Sequence, residues 1–288
     1  MMQPTPTMAE SDRIRPLTRI VAGIIIPFLV AAFVILYFFP EQSGERFSWE
    51  ISPALTAAWM GAGYLGGAYF FLRVLIGRRW HRVSPGFWGV TAFTWAMLLT
   101  TVLHWSRYDL NHLPFQIWLV LYVATPFLVP FIWWYNQPLS DSAPEDDDVM
   151  VPAAARVGMA LVGIFMLISC LVAFVAPDVV VALWPWPLSE LTARIMGGWF
   201  ALMGAGALAT AREPRWSAWR YEVESIVFVW HALVLVAALV HRAEFKPHGA
   251  WFFVAEVAAL VGLAGLYVAM ERRRRGRVRG RRGAPSRS

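Results

Sequence analysis

Hydrophobic positions along the chain fall into eight long runs separated by short polar segments: 20–39, 54–75, 87–103, 115–135, 157–175, 191–209, 223–240 and 250–270. Each is close to the ~20 apolar residues that a helix needs to cross a bilayer core. Pro27, Pro126 and Pro130 lie inside runs, which membrane helices tolerate because neighbouring groups satisfy the freed backbone. The first run follows Arg13, Arg15 and Arg19, as a secretory leader would. It is, however, about twice as long as a leader's apolar core and ends Leu36-Tyr-Phe-Phe39, without a small-residue cleavage site, so it reads as a retained anchor.

The pattern repeats. "LTAAWMGAGY" (Leu55–Tyr64) returns as "LTARIMGGWF" (Leu191–Phe200). Arg19 and Arg156 precede the first and fifth runs, and Pro40-Glu41 and Pro177-Asp178 follow them. Trp49 matches Trp186, Ser52 matches Ser189, Arg79-Trp80 matches Arg215-Trp216, and Leu103-His104 matches Val240-His241. The offset is 136 or 137 residues throughout. Four spans per half is an even number, so both halves enter the membrane in the same direction and should be related by a pseudo-two-fold axis along the membrane normal. The expected fold class is therefore an all-α integral membrane protein, with eight transmembrane helices arranged as two tandem parallel four-helix repeats. Residues 1–18 form a cytoplasmic N-terminal segment, 19–135 the first repeat, 136–155 an acidic cytoplasmic linker, 156–270 the second repeat and 271–288 an Arg-rich cytoplasmic tail.

Composition agrees: 58% of residues are hydrophobic and 15% charged, against about 45–50% and about 25% in soluble domains. The net charge of +6 is concentrated at one end, since Glu271–Ser288 holds nine Arg and one Glu, which leaves the rest of the chain net negative. Arg13, Arg15 and Arg19, then Arg73, Arg78, Arg79 and Arg82, then Arg212, Arg215 and Arg220, and the tail all fall on one side, which places both termini in the cytoplasm. The tail lacks apolar periodicity and its like charges repel, so it is expected to be disordered. Arg272, Arg273, Arg274 and Arg275 read as a contact for anionic lipids of the bilayer rather than for nucleic acid. They could also touch the acidic linker on the same side.

Candidate chemistry is sparse. Gly61-Ala-Gly63-Tyr-Leu-Gly66 fits the dinucleotide pattern GxGxxG, but it lies inside an apolar run with no strand before it. Small residues at helical spacing read instead as helix-packing positions. Cys170, in an apolar run, reads as a small buried side chain. Glu256 lies about six residues into the last run, where an acid is costly and normally faces protein or a cavity. His231 is at a similar depth in the antiparallel neighbour. The pair is a candidate ligand or proton site, or else a structural bond between helices. His104 and His112, and His241 and His248, fall in equivalent loops of the two halves; a two-fold could bring His104 and His241 together on a metal or a haem. No cofactor is implied by any motif.

"WEISPALTAAWMGAGY" (Trp49–Tyr64), "LLTTVLHWSRYDL" (Leu98–Leu110), "WLVLYVATP" (Trp118–Pro126) and "WPWPLSELTARIMGGW" (Trp184–Trp199) resemble a group of uncharacterised bacterial multi-pass membrane proteins. That resemblance covers nearly the whole chain except the tails and implies a bacterial plasma-membrane location. It carries no activity, ligand or catalytic residue. The functional expectation is binding or transport of a small apolar or weakly acidic molecule. The alternatives are an accessory or scaffold protein with a membrane protein partner, and a haem- or metal-binding redox protein; an enzyme is the less favoured reading.

Overall fold

A computed structural model describes residues 12–137, 145 and 147–282. Residues 1–11, 138–144, 146 and 283–288, which belong to the expected N-terminal segment, linker and tail, lie outside the described residues. The described chain is all-helical apart from two isolated β-bridges. Eight helices are long and apolar enough to cross a membrane: α1 Pro16–Phe38, α2 Ala54–Ile76, α3 Gly86–Leu103, α4 Leu113–Asn136, α5 Ala153–Val175, α6 Glu190–Arg212, α7 Trp216–Val240 and α8 Trp251–Arg282. The helices alternate in direction. The ends of α2, α4, α6 and α8 thus share a face with the start of α1, called here the terminal face.

Four helices form the interior. α2 packs along α1 and against α7; α6 packs along α5 and against α3; α3 also meets α4, and α7 meets α8. Burial follows the same division: 61% of the α2 span and 56% of the α6 span are buried, against 11% for α1 and α5 and 6% for α8. Close approach of the inner helices depends on glycine. A Cβ at Gly63 would lie 2.5 Å from the Trp199 ring, and one at Gly89 would lie 2.5 Å from the Leu202 carbonyl oxygen. The GxGxxG stretch is thus continuous helix within α2, with Gly61 on the α1 backbone at Tyr37 and Gly66 beside Ser225 of α7. Its glycines serve packing, as the sequence suggested.

The half of the molecule away from the terminal face is filled by aromatic side chains. Trp199 touches Trp59, Tyr64, Phe93 and Trp230, with ring centroids 4.6–5.8 Å apart. Nearer the far face, Trp49 and Trp118 meet edge to face at 5.0 Å, and buried Trp186 donates from Nε1 to Thr56 Oγ1 at 2.7 Å. Helix starts there are capped by side chains: Ser189 Oγ accepts from Thr192 N in α6, and Glu244 Oε2 accepts from Leu55 N in α2. A Glu at that end also complements the partial positive charge of the α2 N-terminus.

One expectation is corrected. α8 stays helical to Arg282, so the described part of the tail is ordered helix. Arginine is a good helix former, and this segment continues a helix already nucleated by the apolar run, which removes the cost of starting one. Its charge is also partly met: Arg274 Nη1 lies 2.8 Å from Asp147 Oδ2, Arg274 Nε 3.2 Å from Glu271, and Arg277 Nη1 donates to the Asp148 carbonyl. The expected contact between tail and acidic linker is present.

Candidate functional site: an apolar cavity above a buried polar network

Between the aromatic half and the terminal face lies a cavity of about 580 Å³ to which all eight helices contribute. That size is within the range of small-molecule pockets, about 300–1,000 Å³. Its wall is almost wholly apolar side chain and glycine, from Phe28 and Leu29 on α1 to Leu263 and Leu266 on α8. Gly158 and Gly262 on the outer helices look into open space, with no atom within 4 Å of where a Cβ would stand. α7 crosses the wall as a π-helical stretch, Ser225–His231, between two α-helical segments. Such stretches free a backbone position from the regular ladder and recur at functional sites. Here the Ser225 hydroxyl bonds the Gly66 carbonyl at 2.7 Å, tying α7 to α2.

Most polar groups in the wall are satisfied within the protein. Thr94 and Thr125 donate to carbonyls of their own helices, and Tyr64 meets Tyr122 at 3.5 Å. His231 Nδ1 lies 2.6 Å from Glu256 Oε2, both side chains largely buried. The structure therefore brings together the sequence-derived pair, with His231 in the cavity wall and Glu256 behind it on α8. Glu222 is different. Thr210 Oγ1 donates to its Oε2, but its Oε1 is buried and has no hydrogen-bond partner. Room for that oxygen comes from Gly86, where a Cβ would stand 2.6 Å from it. Sequence reading missed Glu222 because it falls one residue before the apolar run that begins at Val223; in the structure α7 begins at Trp216, six residues before it.

Below the cavity a polar network closes the terminal face. Asp12, fully buried, accepts from the His81 backbone N–H at 3.1 Å and pairs with His81 Nδ1 at 2.6 Å. His81 Nε2 lies 3.2 Å from both Glu145 Oε1 and Ser217 Oγ. Ser217 Oγ donates to Asp148 Oδ2 at 2.6 Å, and Arg82 donates to Glu145 and to the Tyr221 hydroxyl. Burial by itself lowers the His81 value, but the bonds to Asp12 and Glu145 outweigh it and raise the net value above the usual 6.5. Burial raises the Glu145 carboxyl, yet His81 and Arg82 overcome this and bring it down to about 2. The raised His81 stabilises the fold fully below 6.5 and loses that contribution as pH rises through its folded value. Glu145 contributes fully above 4.5 and loses it as pH falls towards about 2. Thermal stability in detergent should therefore be highest between these limits. His81→Gln should flatten the loss on the alkaline side and weaken, without abolishing, the loss on the acid side, where Arg82 still holds Glu145.

Of the remaining histidine candidates, His104, His241 and His112 each have a partner of their own. His104 Nε2 accepts from Arg194 Nη1 at 2.9 Å, whereas His241 Nδ1 pairs with Glu244 Oε1 at 3.1 Å. Burial and the adjacent Arg194 push His104 below the usual imidazole value, which suits an acceptor facing a guanidinium. His112 Nε2 donates to the Phe47 carbonyl. Among the described residues no group of three or more His, Cys, Asp or Glu has a metal-binding arrangement. Arg272, Arg273 and Arg275 are exposed at the end of α8, while Arg274 turns inward to Asp147 and Glu271. Cys170 is half-buried on α5.

No protein-family model, no curated protein and no solved structure matches the chain.

Proposed function

We propose that this chain is an eight-span membrane protein of two tandem parallel repeats that binds a small, largely apolar molecule in its central cavity. The cavity carries the reading: its volume and apolar wall suit such a ligand, and its position among all eight helices makes it reachable from both halves. Outer helices that present Ile20, Ile24, Leu161, Phe165, Val254 and Val261 outward fit lipid as their surroundings.

The repeat reading is supported by correspondences at the terminal face. The bridge Arg13–Arg79 has its counterpart in Met150–Arg215. The bond from Ile14 N to Arg78 O recurs from Val151 N to Pro214 O, and Asp12 holding His81 recurs as Asp148 holding Ser217. Packing of α2 on α7 corresponds to packing of α6 on α3. A bacterial plasma membrane remains the proposed location, with Arg272, Arg273 and Arg275 resting on anionic lipid. Both termini and the linker are proposed to be cytoplasmic. Labelling of cysteines placed at residues 142 and 286, in a Cys170→Ser background, should occur only from inside; labelling from outside at either position refutes this topology.

A ligand that is neutral fits better than the weakly acidic one the sequence allowed, because the cavity wall contains no Lys or Arg. The test is to fill the cavity without disturbing packing. Gly158→Phe and Gly262→Phe each have space at the Cβ, so thermal stability should stay near wild type. The double variant should lose co-purifying apolar molecules detected by native mass spectrometry and lose saturable binding of a fluorescent apolar probe. Unchanged probe binding in the double variant would remove the cavity as the site.

A further inference from the structure

We infer that the molecule held in the cavity carries a head group that donates a hydrogen bond, an alcohol or an amine, and that Glu222 receives it. This rests on the cavity being a ligand site and specifies what that site selects.

The tyrosines, threonines and Ser225 of the wall are occupied by one another, by Glu222 or by backbone, and His231 Nδ1 is held by Glu256 behind the wall. Glu222 has one oxygen bonded by Thr210 and the other, Oε1, buried without a partner. A buried acceptor with no donor costs more than a normal hydrogen bond returns, so the site gains when a ligand supplies one. The only other buried polar atom without a partner that belongs to a described wall residue is the Trp199 indole N–H. It lies about three helical turns from Thr210 along α6 and cannot serve the same head.

Position sets the ligand's orientation. Glu222 is in the second turn of α7, at the end of the cavity nearest the terminal face, with the polar network beneath it. Phe93, Trp199 and Trp230 bound the opposite end. The head therefore points towards the terminal face and the apolar body towards the aromatic cluster. An anionic head finds no cation in the wall and meets a carboxyl instead. A purely accepting head, such as a ketone, leaves Oε1 without its donor.

Photo-crosslinking of the full-length protein in nanodiscs tests this. A long-chain alcohol bearing a diazirine in its chain should label the cavity helices. Dodecanol and dodecylamine should compete at about tenfold lower concentration than dodecanoic acid or a methyl ketone of matched length, the scale of one hydrogen bond. Glu222→Leu should erase that preference while an alkyl diazirine without a head still labels the cavity. Glu222→Gln, which keeps an acceptor without the charge, should retain the alcohol preference and lose the amine preference. Equal competition by ketone or acid in the wild type, or a preference that survives Glu222→Leu, overturns the inference. If neither diazirine labels the cavity, the ligand site itself is refuted instead.

Discussion

Trp199→Ala is expected to cost about 3–5 kcal/mol of stability, the range for truncating a large buried aromatic. Trp199 is 2% exposed and touches Trp59, Tyr64, Phe93 and Trp230 together. It also fills the space above Gly63, so α2, α3, α6 and α7 all lose a contact when it is removed. Packing of this kind is the main force between helices in lipid, where hydrophobic transfer gives no advantage to burial in protein. Trp88→Ala is the control. Trp88 is 48% exposed on α3 and meets Trp133 at 4.8 Å, so its loss should stay within about 0.5 kcal/mol, as for most surface changes. Thermal unfolding of both variants in the same detergent measures the difference. Equal shifts would show that the aromatic cluster does not hold the inner helices together.

Asp12→Ala should produce the second large effect. Asp12 receives two bonds from His81 and lies 3.5 Å from Arg79 Nη1, all with no exposure of its own side chain. Removing one partner of a buried pair costs about 3–5 kcal/mol, because the other is left without compensation. Here the uncompensated group is the His81 ring, which also holds Ser217 and Glu145. The loss should therefore spread across the terminal face and appear as earlier proteolysis between 137 and 152. Asp12→Asn keeps an acceptor for the His81 backbone N–H and should recover part of the stability. If Asp12→Ala behaves like wild type in both assays, the network is not what closes that face.

The eight helices were legible in the sequence because apolar runs of bilayer length carry their signal residue by residue. The Glu256–His231 pair was legible for a related reason: both are polar residues inside such runs, at matching depth on adjacent antiparallel helices. The terminal-face network was not. Asp12 and Glu145 sit in polar segments, where an acid is ordinarily solvated, and only tertiary contact turns them into buried partners of His81. On the proposed repeat His81 falls opposite Ser217, while Asp12 falls opposite Val149, one residue from Asp148, so the pattern pointed to the network without naming both acids. The tail was misread because charge repulsion was weighed without the helix that feeds into it, although the contact of its arginines with the acidic linker was expected.

Three contacts share a property that becomes visible only when the numbers are compared. Gly63 meets Trp199, Gly86 meets Glu222 and His81 meets Ser217, and in each the partners are 136 residues apart. On the two-fold reading each is a position touching its own counterpart, which places the contact on the axis. In a dimer of identical subunits such a position meets a copy of itself. Two tryptophans would collide where one fills the space above a glycine, two glycines would leave a gap, and two Glu222 carboxyls would crowd a single buried site. Neither half can then complete itself by self-association; each has become the obligate mate of the other. On that reading the halves, produced as two separate polypeptides, should pair with each other and remain unassembled alone.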